Sequence, residues 1–240
     1  MPVKAPIIDA IVEVVFESSL PSQALVGILY QNFSDDFHSI ENLPMLQVPE
    51  EIRKQNPDLA RQPNYRINGH DFTLSLGEGV MYIGCYIDRR EKFYPGWDKF
   101  GSFANKVTSY CIEDGIFGSV SKVGVRYINF FEESGLFDKT KIDLKVAGST
   151  IVDPKSNIYF EHNEDNKNLK VQLAGEANVN SPNLGSLKGA VMDISSSKEG
   201  QIEKSEVASL IDSLHTFVED HFFDIMKPDA LPEGVEKRVG

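Results

Sequence analysis

Pro6-Ile7-Ile8-Asp9-Ala10-Ile11-Val12-Glu13-Val14-Val15-Phe16 and Gly124-Val125-Arg126-Tyr127-Ile128-Asn129-Phe130-Phe131 decide the fold. The first stretch alternates with the two-residue period of a strand: Ile8, Ala10, Val12, Val14 and Phe16 share a wholly apolar face, and Asp9, Ile11, Glu13 and Val15 share the other. In the second, part of a predicted strand over 120–131, Val123, Val125 and Tyr127 share one face and Lys122, Arg126 and Ile128 the other. Each stretch carries polar groups within a core-like pattern. Burying a charge or amide costs several kcal/mol unless it is paired, so Asp9, Glu13, Arg126 and Asn129 are expected to satisfy one another or to line a site. If the two strands are neighbours, Glu13 and Arg126 are placed to pair across them, where the guanidinium fork suits a bidentate contact. The competing expectation is a polar floor for an anionic or amide-bearing ligand.

Working outward, Pro21-Ser22-Gln23 opens an apolar pattern at Leu25, Val26, Leu29, Tyr30 and Phe33, predicting a helix over 23–33 with Ser22 as its cap. Residues 34–64 are polar and hold four prolines, which predicts a long excursion with one helical turn at Glu50 to Lys54. Tyr65 to Asn68, Phe72 to Leu76 and Val80 to Asp88 are separated by Asn68-Gly69 and Gly77-Glu78-Gly79, the pattern of an antiparallel meander. Trp97, Phe100, Phe103 or Ala104, Val107, and Tyr110 or Cys111 form one stripe of a helix over 97–113. Further strands are predicted at Ile142 to Val146, Ser156 to His162, Leu169 to Ala177 and Ser186 to Ser195. A strongly amphipathic C-terminal helix then runs to Ile225 and is stopped by Pro228. A leading strand, further strands and a closing helix thus occur twice, offset by about 110 residues. The fold expected is α+β, a large and mainly antiparallel sheet in two similar β-rich halves, 1–118 and 119–228. Each half is closed by an amphipathic helix packed on the sheet, and a loose tail follows over 229–240.

The 240 residues are 41% apolar, enough for a core without staples. Cys85 and Cys111 fall in apolar surroundings, which suits buried free thiols in a reducing cytosol. The start lacks the basic segment and apolar stretch of a signal peptide, and no apolar run reaches the roughly 20 residues that span a bilayer, so a cytoplasmic protein without a membrane contact is expected. The net charge of −12 is spread evenly, with 10 basic and 16 acidic groups in residues 1–120 and 14 and 20 in 121–240. Direct nucleic-acid binding needs a basic patch that releases counterions, and an even acidic surface argues against it. Acidity alone serves solubility, docking on a basic partner, or mimicry of a nucleic acid.

The opening Pro-Ile-x-x-Ala-x-x-Glu-Val-x-Phe at 6–16, the Tyr-Pro-Gly-Trp-x-x-Phe at 94–100, the Gly-x-Arg-Tyr-Ile-Asn at 124–129 and a last helix with His215 and Phe222 resemble a sporadically distributed family of uncharacterised bacterial proteins. The resemblance spans nearly the whole chain. It implies no activity, cofactor or catalytic residue. Patchy occurrence implies accessory genes, such as defence or toxin-antitoxin loci, and a role that depends on another gene product.

Catalytic patterns fail on physical grounds. His215 and His221 are six apart, about 120° around a helix, and do not form an i, i+4 zinc pair. Ser119-Val120-Ser121-Lys122 enters a strand and Ser195-Ser196-Ser197-Lys198 lies in a predicted polar turn, so neither places Ser and Lys on one helix face. Gly77-Glu78-Gly79 is too short for a dinucleotide loop. Tyr94, Trp97 and Phe100 serve either as core or as an interaction anchor. The function expected is a non-catalytic protein-interaction module that binds or inhibits another protein, with a homodimer as a further assembly and no cofactor or metal. The alternatives are a small-molecule-binding protein or enzyme with a polar site around Arg126, and an acidic nucleic-acid mimic.

Overall fold

Alternation at the N-terminus builds the centre of the molecule. In the computed structural model, which describes residues 6–87, 93–132, 135–150, 155–181, 185–231 and 235, the first strand β1 spans Ile7–Glu17 and buries Ala10, Val12, Val14 and Phe16. There follow α1 (Ser22–Asn32), β2 (Phe37–Asn42), and two short helices, α2 (Glu50–Gln55) and α3 (Pro57–Ala60). The meander β3 (Tyr65–Gly69), β4 (Phe72–Gly77) and β5 (Val80–Cys85) leads to α4 (Trp97–Glu113) and the long β6 (Ser119–Phe131). A small ribbon of β7 (Lys145–Val146) and β8 (Ser149–Thr150) precedes β9 (Asn157–Glu164), β10 (Lys167–Ser181), β11 (Gly185–Ile202) and α5 (Val207–Ile225).

Nine strands form one antiparallel sheet in the order β2-β3-β4-β5-β1-β6-β11-β10-β9. The two stretches that open the sequence are therefore neighbours at its middle, with Val12 opposite Val125 and Ile11 opposite Arg126. Residues opposite one another in such a ladder share a face. One face gathers Val12, Leu74, Ile83, Val125, Val171 and Ile194, all at most 1% exposed. On that face lie α1, α4 and α5, whose apolar stripes join the same core. The chain is thus α+β, with its long helices on one side of a large antiparallel sheet. The other face carries Asp9, Glu13, Lys122, Arg126, Asp193 and Lys170, half-buried or exposed.

The entry to α4 explains its Pro-Gly-Trp. Gly96 caps the helix at φ 90°, a left-handed value that costs glycine little and strains other residues. One turn further on, Gly101 lies under the Trp97 ring, where an added Cβ would sit 2.6 Å from Cε2.

Several expectations need correcting. Ser22 is the first residue of α1 and not its cap; Pro21 is the cap, and Ser22 Oγ donates to Glu78 Oε1 (2.6 Å). The excursion after α1 contains β2, whose weak Phe-His-Ser-Ile-Glu-Asn pattern is held by pairing with β3. Of the strand predicted at Ile142 to Val146 only Lys145–Val146 is extended, whereas β10 and β11 both outrun the predicted segments. Asp88, at the predicted end of β5, and residues 232–234 and 236–240 of the predicted tail lie outside the described residues; Pro228–Ala230 forms a 3-10 turn. Cys85 and Cys111 are buried free thiols.

Candidate functional site

Three of the four polar residues singled out in the central strands meet on the face that the long helices leave open. Asp9 lies opposite Ile128, and Glu13 opposite Gly124, with Arg126 between them in the row of β6. Asn129 does not join them. It points to the helix side, is buried, and donates from Nδ2 to the Met192 carbonyl (3.3 Å).

Glu13 and Arg126 do not form the expected pair. Lys122 Nζ meets Glu13 Oε2 at 2.8 Å, and the Arg126 guanidinium forks onto Asp193 of β11, Nε donating to Oδ1 at 2.9 Å and Nη2 to Oδ2. Both contacts run along diagonals of the ladder, which long side chains span easily. Local alternation places Lys122 on the face of Arg126 without naming its partner, and it does not flag Asp193. Which strand lies beyond β6 is a non-local fact, and only the alternation Met192-Asp193-Ile194-Ser195 hints that Asp193 faces away from the core.

Beside this cluster, a groove of about 720 Å³ crosses the strands from β1 to β2. Asp9, Glu41, Arg66, Asn68, Thr73 and Tyr82 are among its walls. Arg66 is held by Glu41 (3.7 Å) and donates from Nε to Ser75 Oγ (3.4 Å). The His38 and His70 rings lie 5.0 Å apart, tilted by 34°, on the same groove. Burial and the neighbouring Glu13 push the Tyr82 hydroxyl up to about 12. Burial likewise drives the Cys85 thiol far up, so it lines the groove as an inert thiol and not as a nucleophile.

Asp9 differs from its neighbours. Burial raises its pKa above the ordinary 3.8, outweighing the attraction of Arg126, a hydrogen bond from the Ala10 N–H and the field of Arg66. The ionised carboxylate therefore destabilises the fold: stability is lost as pH rises from the unfolded-state pKa through the higher folded one. Asp9→Asn is expected to melt no lower than the wild type at pH 7, and higher where the charge is fully formed. The difference should vanish below about pH 4, where both states carry the proton. Thermal melts of both proteins across this range check it; a lower melting temperature for Asp9→Asn at pH 7 would show that the charge stabilises the fold.

Comparison with family models, curated proteins and solved structures finds no match to any of them. Function therefore has to be argued from the chain's own geometry.

The aromatic motif lies on the other side of the sheet. Phe100 is fully buried, and Tyr94 and Trp97 are half-buried against the same core, so Phe100 is unavailable as a surface anchor. Trp97 stacks on His215 of α5 at 4.0 Å and 14°, and its Nε1 donates to Asp212 Oδ1 (3.2 Å). The Tyr127 hydroxyl lies 3.0 Å from His215 Nδ1 and 3.2 Å from the Tyr94 hydroxyl, while His215 Nε2 faces Glu219 at 3.9 Å. Residues from the Tyr-Pro-Gly-Trp, Arg-Tyr-Ile-Asn and last-helix motifs thus converge where α4, α5 and β6 meet. His215 was legible only as a helical residue; its role as a hub depends on packing. Among the described residues no group of three His, Cys, Asp or Glu side chains is placed to hold a metal ion, and no helix is long and apolar enough to cross a membrane.

Proposed function

We propose that this chain is a non-catalytic interaction module that receives a partner protein on the face of its sheet opposite α1, α4 and α5. One observation carries this: a sheet face spanning nine strands whose middle rows hold small residues, Gly84, Gly124, Ser195 and Ser197, between charges that are half-buried and mutually paired. A face of that kind is preorganised, and burial holds the Cys85 thiol in its groove protonated. In this reading residues 1–118 and 119–228 are two similar halves. The strand order supports it, because each leading strand, β1 or β6, lies beside the last strand of its own set, β5 or β11, and the two leaders adjoin. The motif resemblance to a sporadically distributed bacterial family agrees with a role exerted on another gene product in an accessory locus.

Signs alternate on this face, Glu13 with Lys122 and Arg126 with Asp193, which counts against the single-sign ridge of a nucleic-acid mimic. The groove supports a second reading, a small-molecule binder, because its 720 Å³ falls in the range of about 300–1,000 Å³ usual for ligand sites.

Native mass spectrometry of protein gently purified from its own host tests the proposal. A stoichiometric second protein is expected with the wild type and with Ser102→Arg, an exposed site on α4. Ser195→Arg combined with Ser197→Arg should release it; because Ser195 faces Arg126 and Lys170 across the ladder, a circular-dichroism melt of the double variant establishes that it is folded. Full retention by the double variant would place the partner elsewhere, and a bare chain with a small mass adduct would favour the ligand-binding alternative.

A further inference from the structure

The acids of the open face are not alike in what they meet. Glu13 has Lys122, Asp193 has Arg126 and Glu41 has Arg66. Asp9, in the wall of the groove, meets no cation at ion-pair distance among the described residues, although it is half-buried. Its two nearest guanidinium groups are committed, Arg126 to both oxygens of Asp193, and Arg66 to Glu41 and Ser75. Taken as ion pairs these neighbours are neutral, so among the described residues of the groove one carboxylate is left in excess.

We propose that Asp9 anchors the ε-ammonium of a lysine carried by an extended segment of the partner protein lying in the groove. This rests on the open face being the partner's surface, and it names what the partner must bring. A carboxylate taken out of water and left unpaired is costly, and a cation is the group that removes that cost. An ammonium, a point charge with freely rotating donors, can meet Asp9 without displacing either committed guanidinium, whereas a second fork needs both carboxylate oxygens in one plane. The groove is open along one side, and Ser39, Asn68 and Thr73 offer neutral donors and acceptors to a passing backbone.

The test uses two small probes of equal shape, Nα-acetyl-lysine-N-methylamide and Nα-acetyl-norleucine-N-methylamide, titrated into the full-length, isotopically labelled protein and followed by NMR. The lysine probe is expected to shift signals of Asp9, Ile11 and Asn68, and to bind at least tenfold more tightly than the norleucine probe. Asp9→Asn should erase that preference while folding normally. Equal binding of the two probes, a preference that persists in Asp9→Asn, or tighter binding of Nα-acetyl-glutamate-N-methylamide would overturn the assignment.

With the natural partner, Asp9→Asn should weaken the complex at least tenfold. Unchanged affinity there overturns the lysine anchor but leaves the interaction module standing, whereas a partner retained by the Ser195→Arg, Ser197→Arg protein places the partner off the open face and overturns the surface on which the anchor rests.

Discussion

Phe100→Ala is expected to lower the stability of the protein by about 3–5 kcal/mol, the range for truncating a fully buried aromatic ring. Phe100 is 0% exposed. Its ring lies 5.7 Å from Trp97, 6.2 Å from Tyr94 and 6.2 Å from Phe72, so it holds α4 to both the sheet and the loop that precedes the helix. Phe72 in turn stacks on Phe103 at 4.2 Å, which ties the next turn of α4 to β4 and limits how far the helix can sink into the space left behind. The loss thus combines transfer of the ring with a cavity that relaxes only in part. Urea unfolding measures it through the midpoint at unchanged slope. A loss below about 1 kcal/mol would show that the layer between α4 and the sheet is loosely packed.

Tyr127→Phe should cost about 1–3 kcal/mol, the price of withdrawing one partner from buried polar groups, although the substitution removes a single oxygen. The Tyr127 side chain is buried, and burial together with Tyr94 raises its pKa well above the ordinary 10.0, so the hydroxyl stays protonated. The Tyr127 hydroxyl sits between His215 Nδ1 at 3.0 Å and the Tyr94 hydroxyl at 3.2 Å, so it is the shared member of both contacts. Removing the middle hydroxyl takes a bond from both ends. A double-mutant cycle with Tyr94→Phe isolates the link, because two members of one chain should give a non-additive total. Strict additivity would mean that the two hydroxyls act independently.

The parts of this fold that the sequence reveals are those in which periodicity and burial coincide. β1 and β6 alternate because each has one face in the core, and α4 begins at Trp97 as its stripe requires and ends at Glu113, just before Gly115. β2 was missed since an edge strand of six mostly polar residues is held by its ladder with β3 and not by its own apolar pattern. The ends of β10 and β11 were missed for a related reason. Residues 178–181 of β10 and 196–202 of β11, the latter opening on a Ser-Ser-Lys read as a polar turn, carry little local strand signal and are held by their ladders, Asn178 with Lys188 and Ser197 with Gly124. At the candidate site, charge type and face were legible for Asp9, Glu13 and Arg126, but the partners were not. Asp193 is 67 residues from Arg126, and its position follows from strand order, which no local window contains.

The single tryptophan gives the molecule a built-in lamp, placed where α4, α5 and β6 join and lying flat against an imidazole. All of the indole emission of this protein comes from that joint. Its brightness and colour report whether the two helices are seated on each other and whether the ring beneath has gained a proton. The sheet separates it from the groove at Asp9, so a fluorescence trace follows the closing of the helical side during folding and should stay quiet if the proposed segment settles on the far face. Emission and binding therefore watch different halves of the protein's thickness, and a change in one without the other tells which side has moved.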